Sequence, residues 1–215
     1  MEQKKKTTFD VAYEEAFELG CTKLLEQDIE SCCANAGAGL YRHTDTSCSV
    51  GLTFLNRPVT VTIPDFSFSA EGDAVHVWEK IIILHYLANA AAKQPLTGSL
   101  INYRQVKDGS TYFSTFEKRS AKPFLKTFGE TPGLIYECTK PLGGKKVDCG
   151  DVGVTVNAFP LVPITFVIWK GDEEFPPEAN ILFDESIEAY LSAEDIAVLC
   201  QQLVFKIIGI KRTLG

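Results

Sequence analysis

Apolar positions along the chain switch between two periods. From Thr8 to Ser31, Phe9, Tyr13, Ala16, Phe17, Leu24 and Leu25 recur at helical spacing, while Glu14, Glu15 and Glu26 fall elsewhere. This predicts one amphipathic helix, broken by Ala34-Asn-Ala-Gly-Ala-Gly39. Val50, Leu52 and Phe54 then alternate with small or polar residues, and so do Val59, Val61 and Ile63, with a short turn around Asn56-Arg57 between them. Period two on both sides of a turn predicts a hairpin with one buried face, and Phe66 and Phe68 offer a third strand after Pro64. Asp73 to Lys93 is apolar on nearly every side, which predicts a helix covered around most of its circumference. Trp78, Ile82 and Leu87 are therefore expected in the main core, with Pro95 and Gly98 ending the element.

In the second half, Leu100 to Tyr103 reads as a short strand and Asp108-Gly109 as a turn. Two helices are expected at Thr111 to Ser120 and Lys122 to Phe128, with Gly129 as a left-handed stop. Thr131-Pro132 opens a further helix, which Gly143-Gly144 closes. Val152, Val154 and Val156 alternate, Ile164 to Trp169 is a continuous apolar run, and Ile181 to Phe183 is a third, short one. Ser192, with Asp195 three residues on, marks the start of a last helix whose Leu199, Leu203, Ile207 and Ile208 point inward. Lys206, Lys211 and Arg212 sit toward its carboxyl end, where positive charge suits the helix dipole. Strands come in sequential groups and do not alternate with helices. The expected class is thus α+β, an antiparallel sheet of hairpins packed against several helices, in a single domain spanning residues 1–215 with residues 1–7 frayed.

Composition narrows the partners. The chain has 215 residues, 45% of them hydrophobic, enough for a full core. A net charge of −7 argues against wrapping a nucleic-acid backbone, which calls for a basic face. Lys4, Lys5 and Lys6 are followed by no apolar segment, so no signal peptide or membrane anchor is expected. The longest apolar run, Ile81 to Ala92, is too short to span a bilayer and is interrupted by His85 and Asn89. Seven cysteines without regular spacing read as reduced thiols, and the expected compartment is the cytoplasm.

Several residue groups hold candidate chemistry. Cys21, Cys32, Cys33 and Cys48 lie near His43, but no Cys-x-x-Cys pair is present, so no metal site is expected. Cys149 lies between Asp148 and Asp151, whose charges disfavour a thiolate. Gly37-Ala-Gly39 and Gly143-Gly-Lys-Lys146 lack the spacing of a phosphate loop. His85 is either a satisfied core histidine or an imidazole at the base of a pocket. The run from Ile164 to Trp169 leads into Asp172, Glu173 and Glu174, with Pro176-Pro177 beyond and Asp184-Glu185 ending the next apolar run. A rigid strand can present such carboxylates to a cation or a hydroxylated ligand. An ordinary solvated hairpin has the same composition.

A longer string of motifs is familiar. Ile83-Leu-His-Tyr-Leu87, Pro95-Leu-Thr-Gly98, Gly109-x-x-Tyr112, Phe159-Pro160, Ile168-Trp-Lys-Gly-Asp-Glu-Glu-Phe-Pro176, Leu182-Phe-Asp184, Tyr190-Leu191 and Glu194-Asp195 occur in this order. Over about Phe54 to Leu199 the chain resembles domain of unknown function 3786, an uncharacterised family of anaerobic bacteria and archaea. Some members carry a fused iron–sulfur domain like that of corrinoid methyl-transfer proteins. The resemblance implies a setting in anaerobic one-carbon or corrinoid metabolism, with an iron–sulfur or corrinoid protein as partner. This sequence carries no four-cysteine cluster motif of its own. The resemblance supplies no catalytic residues, but it implies a shared pocket lined by His85, Tyr86, Arg104, Trp169, Asp172, Glu173 and Glu174, with Asp184 close by in the motif string.

Three functions follow as expectations. The first is a binding module for a small ligand or a redox-protein partner. The second is a metal-assisted enzyme using the Asp172–Glu174 loop as base or ligand and His85 as acid. The third is a protein–protein interaction domain with the acidic loop at its rim. The absence of a nucleophile motif and of a phosphate loop favours the first. Whether the protein is an enzyme stays open, as do its cofactor and oligomeric state.

Overall fold

The computed structural model describes residues 8–92 and 94–214, without the side chains of 8–10. The expectations about frayed residues 1–7, the Lys4–Lys6 start, the Phe9 side chain and Lys93 lie outside the described residues. The class is α+β, with a four-stranded and a five-stranded sheet. The backbone divides into two compact units, Met1–Leu52 with Pro58–Gln94 and Thr53–Arg57 with Pro95–Gly215. Among the described residues, no helix is long and apolar enough to cross a membrane.

The first unit begins with α1 (Thr8–Leu25) and α2 (Ile29–Ala36). The single helix expected over Thr8 to Ser31 is thus two. Asp28 is the reason: its Oδ2 accepts from the Ser31 N–H at 3.2 Å and from the Ser31 hydroxyl, capping a new helix. Gly37, at φ 66°, ends α2 in the left-handed region. The expected apolar face of α1 is also narrower than its sequence, because Leu24 is buried while Tyr13 and Leu25 are exposed. Strands β1 (Gly39–Arg42), β2 (Cys48–Phe54), β3 (Arg57–Ile63) and β4 (Ser67–Ala70) follow, hydrogen-bonded in that order. The expected hairpin is β2–β3, with Val50, Leu52, Phe54, Val59, Val61 and Ile63 all buried. Helix α3 (Val77–Asn89) buries Ile81, Ile82, Ile83, Leu84, Tyr86 and Leu87, as its all-round apolarity predicts. Trp78, expected in the core, is only half-buried because it lies in the first turn of α3.

The second unit holds β5 (Leu100–Asn102), a 3₁₀ turn at Tyr103–Gln105, α4 (Gly109–Phe116), a π-helical turn at Glu117–Ala121 and α5 (Lys122–Phe128). The two helices expected here therefore run on without a break. Gly129 is not a left-handed stop, since its φ is −54°. Glycine is needed there for space: a Cβ would lie 2.8 Å from the Leu125 carbonyl oxygen. Next come α6 (Leu134–Thr139), β6 (Lys145–Val147), β7 (Val152–Phe159), β8 (Val162–Trp169), β9 (Glu178–Asp184) and α7 (Ala193–Leu214). Helix α7 starts with the expected reciprocal cap: Ser192 N–H donates to Asp195 Oδ2 and Asp195 N–H to Ser192 Oγ.

The sheet order β5-β9-β8-β7-β6 makes β8 the central strand. Ile164 to Ile168 are all buried, which accounts for the unbroken apolar run. Phe124 of α5 covers Phe166 at 5.0 Å between ring centres. Thr165 is tolerated inside because its hydroxyl pairs with that of Thr155 directly across the ladder at 2.8 Å.

Candidate functional site

His85 and Tyr86 belong to the first unit, and the remaining expected site residues to the second. Tyr86 is fully buried, and its hydroxyl donates to the Ala36 carbonyl at 2.8 Å, so it ties α3 to the end of α2. His85 is half-buried beside α1; a Cβ on Gly20 would lie at ordinary contact distance from its ring, 3.6 Å from Cδ2, and more tightly against Leu84 Cβ at 3.1 Å.

In the second unit, β8 carries the chain out to Trp169, and β9 brings it back from Glu178, its register partner. The intervening loop is held from both ends. Lys170 N–H donates to Asp151 Oδ2 at 2.8 Å. Asp172 Oδ1 accepts from the N–H groups of Glu174 and Phe175, each at 2.8 Å, and Asp172 N–H donates to the Phe175 carbonyl at 2.9 Å. Those two backbone donors lower the Asp172 carboxyl below its ordinary value. A Cβ on Gly171 would lie 2.7 Å from Pro177 N, so the close return of the chain requires glycine. Asp172, Glu173 and Glu174 are all exposed. Carboxylates favour water over a buried position without a cationic partner, and Asp172 folds the loop through the backbone instead.

The loop nevertheless walls an open concavity of about 520 Å³, whose other side is Gly129, Glu130 and Pro132. Among the described residues lining it, Glu130, Asp172, Glu173 and Glu174 are acidic and Lys170 is basic. Phe175 is 67% exposed at its edge and Trp169 is 41% exposed on the strand leading in. An exposed aromatic ring such as that of Phe175, with an acidic border, suits the apolar stem and charged end of a lysine or arginine. Nothing in the composition of residues 129–132 identified them in advance as the opposite wall.

Asp184 does different work. Its side chain is buried at the end of β9 and accepts from Thr97 N–H, Thr97 Oγ1, Gly98 N–H and Ser186 N–H. Burial pushes its carboxyl up, but the bonds from Ser186, Thr97 and Gly98 outweigh it and bring it down to about 2. It clamps the chain entering β5. Arg104 is exposed in a separate groove, with its guanidinium over Phe113.

All seven cysteines are free. Burial raises the thiol of Cys33 to about 12, with smaller contributions from its neighbours, and raises that of Cys200 as well. Among the described residues, no group of three or more His, Cys, Asp or Glu side chains is placed to hold a metal ion.

An α+β protein with a central acidic-tipped hairpin is what the fold and this loop define. The chain belongs to the family described as Domain of unknown function (DUF3786), which matches residues 28–206. No curated protein and no solved structure matches it.

Proposed function

We propose that the protein is a cytoplasmic binding module whose β8–β9 loop receives the basic surface of a protein partner. The observation that carries this reading is the loop itself. Asp172 fixes its backbone, Gly171 and the Pro176-Pro177 pair restrict it, and Glu173, Glu174 and Phe175 stay exposed beside the 520 Å³ concavity. A loop ordered before binding loses little conformational entropy when a partner docks. Its carboxylates steer a basic partner and its aromatic side chains supply the apolar contact. Some members of the family carry a fused iron–sulfur domain like that of corrinoid methyl-transfer proteins, and that association is what favours a corrinoid or iron–sulfur protein as partner and an anaerobic cell as setting.

The metal-assisted alternative would use the same loop, but Asp172 Oδ1 already accepts two backbone donors there. Native mass spectrometry of protein prepared without oxygen separates the readings. A corrinoid or iron–sulfur protein that binds the wild type and not the Glu173→Lys/Glu174→Lys variant supports the module. A stoichiometric metal on the isolated wild type, lost in that variant, contradicts it.

A further inference from the structure

Arg104 is placed by its neighbours before any ligand arrives. Asn102 caps the 3₁₀ turn, with Oδ1 accepting from Arg104 N–H at 3.0 Å, while Gln105 Oε1 accepts from Asn102 N–H at 2.9 Å. Helix α4 approaches this turn closely, because a Cβ on Gly109 would fall 2.0 Å from the Tyr103 carbonyl oxygen. That approach brings Phe113 under the arginine, and the guanidinium carbon lies 3.7 Å from the ring centre. One turn on, Phe116 stacks on Tyr103 at 4.0 Å with the rings 1° from parallel, which fixes α4 against the turn. The backbone then widens into the π-helical turn, a local geometry found often at functional sites.

The ring occupies one face of the guanidinium and leaves its N–H edge open. Among the described residues, no carboxylate pairs with Arg104, although the chain carries 28 acidic residues against 21 basic ones. Among the described residues of the groove wall, the one acidic side chain is Glu117, which Lys122 Nζ engages at 2.9 Å. Asn180, on the opposite wall, spends its Oδ1 on the Ile181 N–H, which leaves its amide N–H groups as donors toward a ligand. Asn102 and Tyr103 also line it, with Asn102 Oδ1 bonded to Arg104 N–H and the Tyr103 hydroxyl to the Ala193 carbonyl, and Phe113, Phe116, Ala121 and Ala179 supply the apolar wall. The groove holds about 250 Å³, below the roughly 300–1,000 Å³ of sites for drug-sized ligands.

We propose that this groove is a binding site for a small monocarboxylate with a planar apolar body. The carboxylate takes the guanidinium edge side-on, in the two-bond geometry that arginine offers and lysine does not. The body lies against Phe116 and Ala121. A phosphate dianion fits less well, because among the described residues Arg104 is the one cation lining the groove and Glu117 stands in the wall. The site is independent of the acidic loop.

Benzoate is the probe, with benzamide as its neutral counterpart and inorganic phosphate as the competing anion. Each is titrated into the ¹⁵N-labelled full chain while the Arg104 Nε signal and the groove amides are followed. Benzoate is expected to saturate these signals, with benzamide and phosphate weaker by about tenfold or more. Arg104→Gln and Arg104→Lys should each lose about tenfold for benzoate, the second because charge without the planar fork is insufficient. Glu173→Lys/Glu174→Lys should bind benzoate like the wild type. Absence of saturable shifts, equal binding of benzamide, tighter binding of phosphate, or full affinity in either arginine variant would overturn the proposal.

Discussion

Asp184 and Thr97 are joined twice: one carboxylate oxygen accepts from the Thr97 N–H at 3.0 Å and from its hydroxyl at 3.1 Å. The other oxygen takes the Gly98 N–H at 2.7 Å. Residues 86 and 87 positions apart are thus held at the edge where β5 joins β9. An acidic residue that ends an apolar run is read from sequence as a surface group, whereas here it satisfies backbone donors that have no strand partner.

This clamp makes stability sensitive to acid. The folded carboxyl lies at about 2 and the ordinary value is 3.8, so its contribution is present above 3.8 and is lost as pH falls toward 2. Urea unfolding of the wild type should show this loss. Asp184→Asn should be less stable by about 3 kcal/mol at neutral pH, from weaker bonds to buried donors. It should also lose less on acidification. Parallel curves for the two proteins would show that Asp184 is not the titrating group.

Ile82 tests the packing of α3. It is 2% exposed, and truncation to Ala should cost about 2–5 kcal/mol by denaturant unfolding. A loss under about half a kcal/mol would be incompatible with its burial.

Gly109→Ala should be destabilising although α4 is a helix and alanine favours helices. The added Cβ meets the Tyr103 carbonyl, and relieving that clash costs about 1–3 kcal/mol. The same displacement should separate Phe113 from Arg104, visible as a change in the Arg104 Nε resonance. An unchanged resonance with unchanged stability would mean that α4 does not sit this close.

The thiols should react in an order set by burial. All seven should titrate after unfolding, while in the folded protein Cys48 and Cys149, both half-buried, should react well before Cys33 and Cys200. Fewer than seven thiols after oxygen-free unfolding would indicate a disulfide.

The fold was legible where burial writes a period into the chain. The β2–β3 hairpin, the central run of β8 and the Ser192–Asp195 cap could be read because their neighbours are local. β1 and β6 were not read, since an exposed edge such as Lys145-Lys146-Val147 has no buried face to set a pattern. The break at Asp28 did leave a signal, an Asp with Ser three residues on, but the apolar positions beyond it kept their helical spacing. The site was legible only as composition. Its geometry depends on distant chain: Gly129–Pro132 opposite the loop, Thr97 beneath Asp184, and Phe113 beneath Arg104.

The most direct measurement of the central claim is titration of the ¹⁵N-labelled protein with a short oligolysine peptide at two ionic strengths. The account predicts saturable shifts at the Lys170–Phe175 amides and at Glu130. They should weaken with salt, as exposed charge pairs do, and disappear in Glu173→Lys/Glu174→Lys. Shifts spread evenly over the acidic surface, or a loop that stays silent while other sites respond, would contradict it.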